Sequence, residues 1–274
     1  EWIGYKDRNI HHIDFPYPWK VKDKDAKQFF KNSLIQLNKN IDFKRDICGV
    51  IVETFQGWGA IFYPKNYVKE LKNFCKKNKI NLTFDEMQSG FSRTGKNFGY
   101  EHYEIKPDLV CIGKAMGGGM PISGVVGKKK LLDLPSVGNM SSTNSANPMS
   151  CAAGMAVLEE IKNKKLTKRS NDLGKILELK LKKIFNNHRE FIFWVNSKGL
   201  IGAIIFKKNI KNVSLFAKRI TENCLINGLL VVYTGRESIK FGPPLTISKS
   251  ALQKGLNIFE KAVEEEIKKY KNAK

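Results

Sequence analysis

Residues 47–86 read ICGVIVETFQGWGAIFYPKNYVKELKNFCKKNKINLTFDE, and this stretch decides the fold class. ICGVIVE, 47–53, is a β-branched apolar run that ends on a carboxylate. PKNYVKELKNFCKKNK, 64–79, opens with proline, which suits the first turn of a helix because its missing N–H has no intrahelical partner there. INLTFDE, 80–86, is a second short apolar run, again closing on acids. Strand, helix and strand in about 40 residues predict a βαβ unit with parallel strands, since parallel pairing needs a crossover connection of about a dozen residues or more.

The same reading extends in both directions. DLVCIGKAMGGGM, 108–120, carries a third strand that ends at Lys114 before three glycines, and PISGVVG, 121–127, adds another apolar run. ANPMSCAAGMAVLEEIKNKK, 146–165, and LTKRSNDLGKILELKLKKIFNNH, 166–188, are predicted helices. Beyond Phe191 the runs FIFWVN, GLIGAIIF, LLVVY and SIKFG alternate with an amphipathic helix over about 213–227 and a last helix from about Ser248. Upstream, residues 1–22 read as irregular, and Phe29, Phe30, Leu34 and Leu37 give the stretch from Lys22 to about Asn38 helical spacing. The expectation is an α/β protein in two parts, 1–165 and 166–274, with a mostly parallel sheet flanked by helices in the first.

Composition narrows the classes of function. With 274 residues and 42% hydrophobic content the chain can bury a substantial core. No apolar run approaches the roughly 20 residues needed to span a bilayer. Five widely spaced cysteines suggest neither a disulfide framework nor a CxxC metal pair, which favours a cytoplasmic setting. The net charge of +22 comes from 41 lysines and only 7 arginines spread along the chain. Readers of nucleic acid cluster arginine forks on one face, so the charge reads as a solvated surface. Four histidines make no HExxH or Cys/His ligand set, and no metal is expected. Gly119 and Gly124 have phosphate-loop spacing, but Val125 stands where GxxxxGK[ST] needs lysine. The first residue is Glu1 and the first methionine Met87, so the natural start is expected upstream.

In open α/β sheets the ligand crevice lies at the carboxyl ends of the strands. Glu53, Asp85 and Lys114 fall at such ends. A lysine partly desolvated in that crevice would have a lowered pKa and a nucleophilic amine. Gly117, Gly118 and Gly119 would let the backbone pass close to a neighbour.

IVETFQGWGA at 51–60, LTFDEMQSGFSRTGKNFGYEHYEIKPDLVCIGKAMGGGMPISGVVG at 82–127, SSTNSANPMSCAAGMAVLEEI at 141–161 and IKFGPPLTI at 239–247 resemble the core of class III aminotransferases, the pyridoxal-phosphate enzymes of fold type I. The resemblance implies that Lys114 holds pyridoxal 5'-phosphate as a Schiff base and then shuttles the substrate Cα proton. It implies that Asp85 pairs with the pyridine nitrogen, that Gln88 lies near the phenolic oxygen, and that Thr143 reaches the phosphate across a homodimer interface. It also implies a large cofactor domain with a smaller C-terminal α/β domain, an amine donor and an oxo-acid acceptor. Aminomutases and racemases of the same fold share the lysine and the aspartate, and an inactive basic interaction protein is the alternative from another class.

Three departures bear on substrate. The family's QGEGG block is QGWGA here, so Trp58 stands at a gate position usually held by glutamate. Lys240 stands where the glutamate's arginine partner usually precedes PPL, and a lysine cannot form that planar fork. Arg236 could supply a fork instead. The family's upstream phosphate loop and ring-stacking aromatic have no counterpart in this sequence. Together these lean away from a strict 4-aminobutyrate or ornithine enzyme and leave an amino sugar or other carboxylate-poor donor open.

Overall fold

The computed structural model describes residues 9–37, 41–140 and 142–272. Residues 1–8 of the irregular N-terminal stretch, Asn38 at the end of the first predicted helix, and Ser141 of the SSTNSAN segment lie outside the described residues. The first helix, α1, spans Ala26–Leu37 and sets Phe30 edge-on against Tyr67 at 5.3 Å between ring centroids. Strand β1 is Gly49–Glu53, followed by two two-residue strands, β2 at Phe55–Gln56 and β3 at Ile61–Phe62. Helix α2, Lys65–Asn78, returns the chain over the sheet and buries Tyr67, Val68, Leu71 and Cys75. That spacing of one and three to four residues is the apolar stripe of an amphipathic helix.

The predicted βαβ unit is present. Strand β4, Asn81–Asp85, pairs in parallel with β1, and β5, Leu109–Ile112, pairs in parallel with β4. Strand β6, Gly124–Gly127, completes the order β1-β4-β5-β6 but runs antiparallel to β5. An apolar run carries no record of its direction, so the sequence left this open. Short helix α3, Lys129–Leu132, leads to α4, Pro148–Asn163, whose start is capped by Asn147 accepting from the N–H groups of Met149 and Ser150.

A second sheet follows α5, Leu166–Asn187. It is built from β7, Ile192–Lys198, β8, Ile201–Phe206, β9, Val232–Tyr233, and β10, Ser238–Phe241, in the order β7-β8-β10-β9 with every neighbour antiparallel. Helices α6, Val213–Ile226, and α7, Lys249–Asn272, join α5 in covering it. Every residue of β8 is buried. Ile201 and Ala203 at its start pack into the core of the first sheet, while Ile204 and Phe206 pack into the core under α5, α6 and α7. Among the described residues no helix is long and apolar enough to cross a membrane.

The two sheets are tied together around residues 93–95. Arg93 Nη1 donates to the carbonyls of Leu200 and Pro243, and the Leu200 N–H donates back to the Arg93 carbonyl at 2.9 Å. Ser170 Oγ of α5 donates to that same carbonyl at 3.2 Å. Two glycines make the approach possible. Gly199 has φ +54°, and a Cβ there would lie 2.3 Å from the carbonyl carbon of Thr94. A Cβ on Gly174 of α5 would lie 2.5 Å from the Gly199 oxygen.

Because both obstacles are backbone atoms, relief requires moving α5 off the β7–β8 turn. Gly174→Ala is expected to destabilise the fold by about 3 kcal/mol, the upper part of the range for overpacking. Urea denaturation of the two proteins measures the difference.

Candidate active site

The carboxyl ends of the parallel strands bring three polar side chains into line. Glu53 closes β1 and lies directly beside Asp85, which closes β4, and Asp85 lies beside Cys111 on β5. Paired residues of neighbouring strands project to the same face, so these three share one side of the sheet. The Asp85 Oδ1 accepts the Met87 N–H at 2.9 Å, which anchors the carboxylate at the strand's end. Burial, then the charge of Asp85, push the Glu53 carboxyl above its ordinary range, against the Gly57 N–H and the ammonium groups of Lys114 and Lys240.

Lys114 follows two residues after β5. Its backbone has φ +48°, the left-handed region that non-glycine residues seldom occupy, and it opens a 3-10 turn over Lys114–Gly117. Partial desolvation was the expectation for this lysine, but its side chain is exposed. The half-buried ammonium of the crevice is Lys240 on β10, whose pKa is lowered first by burial and then by the charge of Lys114. The glycines after Lys114 serve the chain's own packing. A Cβ on Gly117 would stand 2.8 Å from Ile122 Cγ2, and Gly118 and Gly119 take φ +59° and +119°.

Gln88 and Lys240 meet although the sequence separates them by 152 positions: Lys240 Nζ donates to Gln88 Oε1 at 3.0 Å. An ammonium only donates, so this contact fixes which end of the amide is oxygen and leaves the Nε2 hydrogens for another acceptor. Gly57 lies against that nitrogen, since a Cβ there would be 2.8 Å from Gln88 Nε2.

The neighbouring acid, Glu86, was not singled out by sequence reasoning. It is fully buried, and its two oxygens accept from the hydroxyls of Thr54 and Ser89 and from the N–H groups of Gly99 and Tyr100. Burial raises its pKa in opposition to these four donors. The signal available was alternation: where Asp85 faces the crevice, the next residue must face away from it. Glu86 therefore ties the 3-10 turn Gly99–Tyr103 to the end of β4 and shapes the loop that carries Gln88 and Arg93.

Trp58 sits in the turn between β2 and β3, and its carbonyl accepts from Ser238 Oγ at 2.8 Å. The Arg236 guanidinium lies over its ring at 4.3 Å from the centroid. Thr143 lies apart from this cluster, exposed in the turn before α4. The structure thus gathers Glu53, Asp85, Gln88, Lys114 and Lys240 at one end of the first sheet, pairs Trp58 with Arg236 alongside, and leaves Thr143 on the surface. Among the described residues no group of His, Cys, Asp and Glu could hold a metal ion.

A family model for the class-III aminotransferases matches residues 3–263. A probable 4-aminobutyrate aminotransferase of Bacillus subtilis is 31% identical over 264 residues, covering 92% of this chain and 60% of that protein. A leucine/methionine racemase of Thermococcus litoralis is 36% identical over 264 residues, covering 93% of this chain and 59% of its own length. Among solved structures, an acetylornithine aminotransferase from Elizabethkingia anophelis superposes with a TM-score of 0.76 at 29% identity, covering 89% of this chain and 58% of that one. The chain thus spans about three fifths of the length of the curated relatives it matches.

Two outcomes follow from the loop between β4 and β5. Glu86→Ala removes the acceptor from two hydroxyls and two buried N–H groups and is expected to cost about 3 kcal/mol or more in chemical denaturation, with Glu86→Gln losing less. His102, held by Thr94, has its pKa lowered from 6.5 to about 4 by burial and then by the charge of Lys198. Below pH 6.5 the unfolded chain binds a proton that the folded chain refuses, so stability contributed above that value is lost as pH falls towards 4. The thermal midpoint should fall across this window, and His102→Gln should flatten the slope.

Proposed function

The chain belongs to the class III aminotransferases, and from that premise we propose that it transfers an amino group from a primary amine or ω-amino acid to a 2-oxo acid or aldehyde in two half-reactions, with Lys114 as the catalytic residue. The observation that carries this reading is the placing of an acid, Asp85, and an amine, Lys114, at the carboxyl ends of the adjacent parallel strands β4 and β5.

The family's cofactor, pyridoxal 5'-phosphate, supplies an aromatic ring that accepts the electrons left when the substrate Cα proton departs. The residues of the crevice suit it. Glu53 and Asp85 set two carboxylates side by side, and a protonated ring nitrogen is the cation such a pair favours. Gln88, with its oxygen committed to Lys240, has N–H groups to offer a phenolic oxygen. Lys114, exposed and on a strained backbone, has an amine free to bind a carbonyl and afterwards to take and return the proton at the substrate Cα. Trp58 offers a wall where a carboxylate gate would stand, and with Lys240 it supports a donor other than a strict 4-aminobutyrate or ornithine.

Thr143 would then reach the cofactor phosphate of a second copy. Supporting a homodimer, the segment before it exposes Leu134, Val137 and Met140, the last at 81%, and apolar side chains exposed together favour burial against a partner. We also propose a large domain over 1–165 and, over 166–274, a long connecting helix with a small C-terminal domain, supported by a hydrophobic cluster beneath each sheet, each drawn from its own part except for Ile201 and Ala203, and a cytoplasmic setting.

A second reading is favoured by one observation. The relative named as a leucine/methionine racemase is 36% identical, and delivery of the Cα proton to the face opposite the one it left would invert a substrate without moving its nitrogen.

Borohydride reduction after addition of pyridoxal phosphate should fix the cofactor through denaturation in the wild type and not in Lys114→Ala, whose turnover should drop roughly a thousandfold or more. Donor alone, with no acceptor, should release one equivalent of carbonyl product per site. Loss of optical activity with no carbonyl release would replace the aminotransferase reading with the racemase one.

A further inference from the structure

Beside the Lys114 crevice lies a cavity of about 510 Å³, formed where residues 17–20, the β2–β3 turn, the loop after β8 and the turn before β10 meet. That size falls within the range of small-molecule sites. Its apolar lining is mostly aromatic, with Tyr17, Trp19, Trp58 and Phe193 beside Ile205 and Phe206. Tyr17 stacks on Trp19 at 4.8 Å, and Trp19 is held edge-on by Phe193 at 5.1 Å, so these rings are ordered by one another.

The polar lining is cationic. Lys20, Lys207, Lys208 and Arg236 face one carboxylate, Glu237, which is itself buried and lies 3.7 Å from Lys208 and 3.6 Å from Arg236. Those separations exceed hydrogen-bonding distance, and among the described residues the Arg236 guanidinium donates to no acceptor. Its guanidinium carbon lies 4.3 Å from the centroid of the Trp58 ring and its Nε 3.6 Å from Glu237, and the side chain is half exposed, leaving N–H groups open to a further acceptor. A guanidinium already held against a ring and a neighbouring carboxylate loses less freedom when a second carboxylate takes two of its N–H groups.

We propose that this cavity binds an aromatic carboxylate, its ring against the Trp58 and Trp19 walls and its carboxylate on the Arg236 fork. The same turn borders the crevice: Gly57 packs on Gln88, and Ser238, which holds the Trp58 carbonyl, is two residues from Lys240. The ligand is therefore the end of the amino donor remote from its amine, a last step that rests on the aminotransferase reading. The planar carboxylate fork that Lys240 cannot form is recovered farther out, on Arg236, for a donor whose acid is separated from its amine by a ring.

Phenylacetate, acetate and benzyl alcohol separate ring from charge as probes, read by tryptophan fluorescence and calorimetry on the protein without added cofactor. Phenylacetate should quench saturably and bind at least tenfold more tightly than either control. Arg236→Gln should weaken it tenfold or more, Arg236→Lys should recover part of the loss, and Arg45→Gln, which removes an exposed charge elsewhere, should leave it unchanged. Equal affinity for acetate and phenylacetate, or binding indifferent to Arg236→Gln in a protein with unaltered circular dichroism, overturns the site. Because no cofactor is used, this result stands or falls separately from the Lys114 experiment. In turnover, Arg236→Gln should raise KM for 4-(aminomethyl)benzoate tenfold more than for benzylamine; equal changes overturn the assignment of the ligand as donor.

Discussion

The buried carboxylate of Glu86 is the constraint on which the site depends. An acid with no exposed surface is tolerated because four donors converge on it, from Thr54 after β1, from Ser89 in the loop after β4, and from the start of the turn at Gly99. Those donors belong to three separate stretches of chain. Their convergence folds residues 86–104 back on the sheet, and every side chain of that loop with a chemical or mechanical duty inherits its direction from it.

The division of labour along the loop is sharp. Asp85 faces the crevice and Glu86 the interior, Gln88 turns back towards Lys240, and Arg93 crosses to Leu200 in the β7–β8 turn and Pro243 just after β10. One short segment therefore sets the acid, the amide and the clamp between the sheets. Pro243 follows Lys240 by three residues, so the clamp also steadies the strand from which Lys240 reaches Gln88. Site and scaffold are thus one continuous hydrogen-bonded structure, which is the condition for holding side chains to catalytic tolerance.

How much of this was legible depended on the range of the interaction. The βαβ unit followed from local periodicity and from Pro64, and Asp85 and Lys114 followed from their place at strand ends. The β2–β3 hairpin was missed because strands of two residues carry no period to detect. Glu86 was missed because its partners include Thr54, 32 positions away, and no pattern in the sequence joins them. The environment of Lys114 was misjudged for a related reason. An apolar run before a residue reports the strand and says nothing of what covers the residue that follows it, and here it was Lys240, arriving from the second sheet, that took the half-buried place.

Lys114 carries one more implication through its backbone. A residue at φ +48° bears a strain that glycine or asparagine would relieve, so at this position the fold and the proposed chemistry favour different amino acids. Under selection for thermal robustness alone, sequences would drift away from lysine here, and the drift would look like improvement until turnover was assayed. If Lys114 carries the proposed chemistry, the residue found at position 114 is a gauge of whether a sequence of this kind has been kept for catalysis or only for its shape.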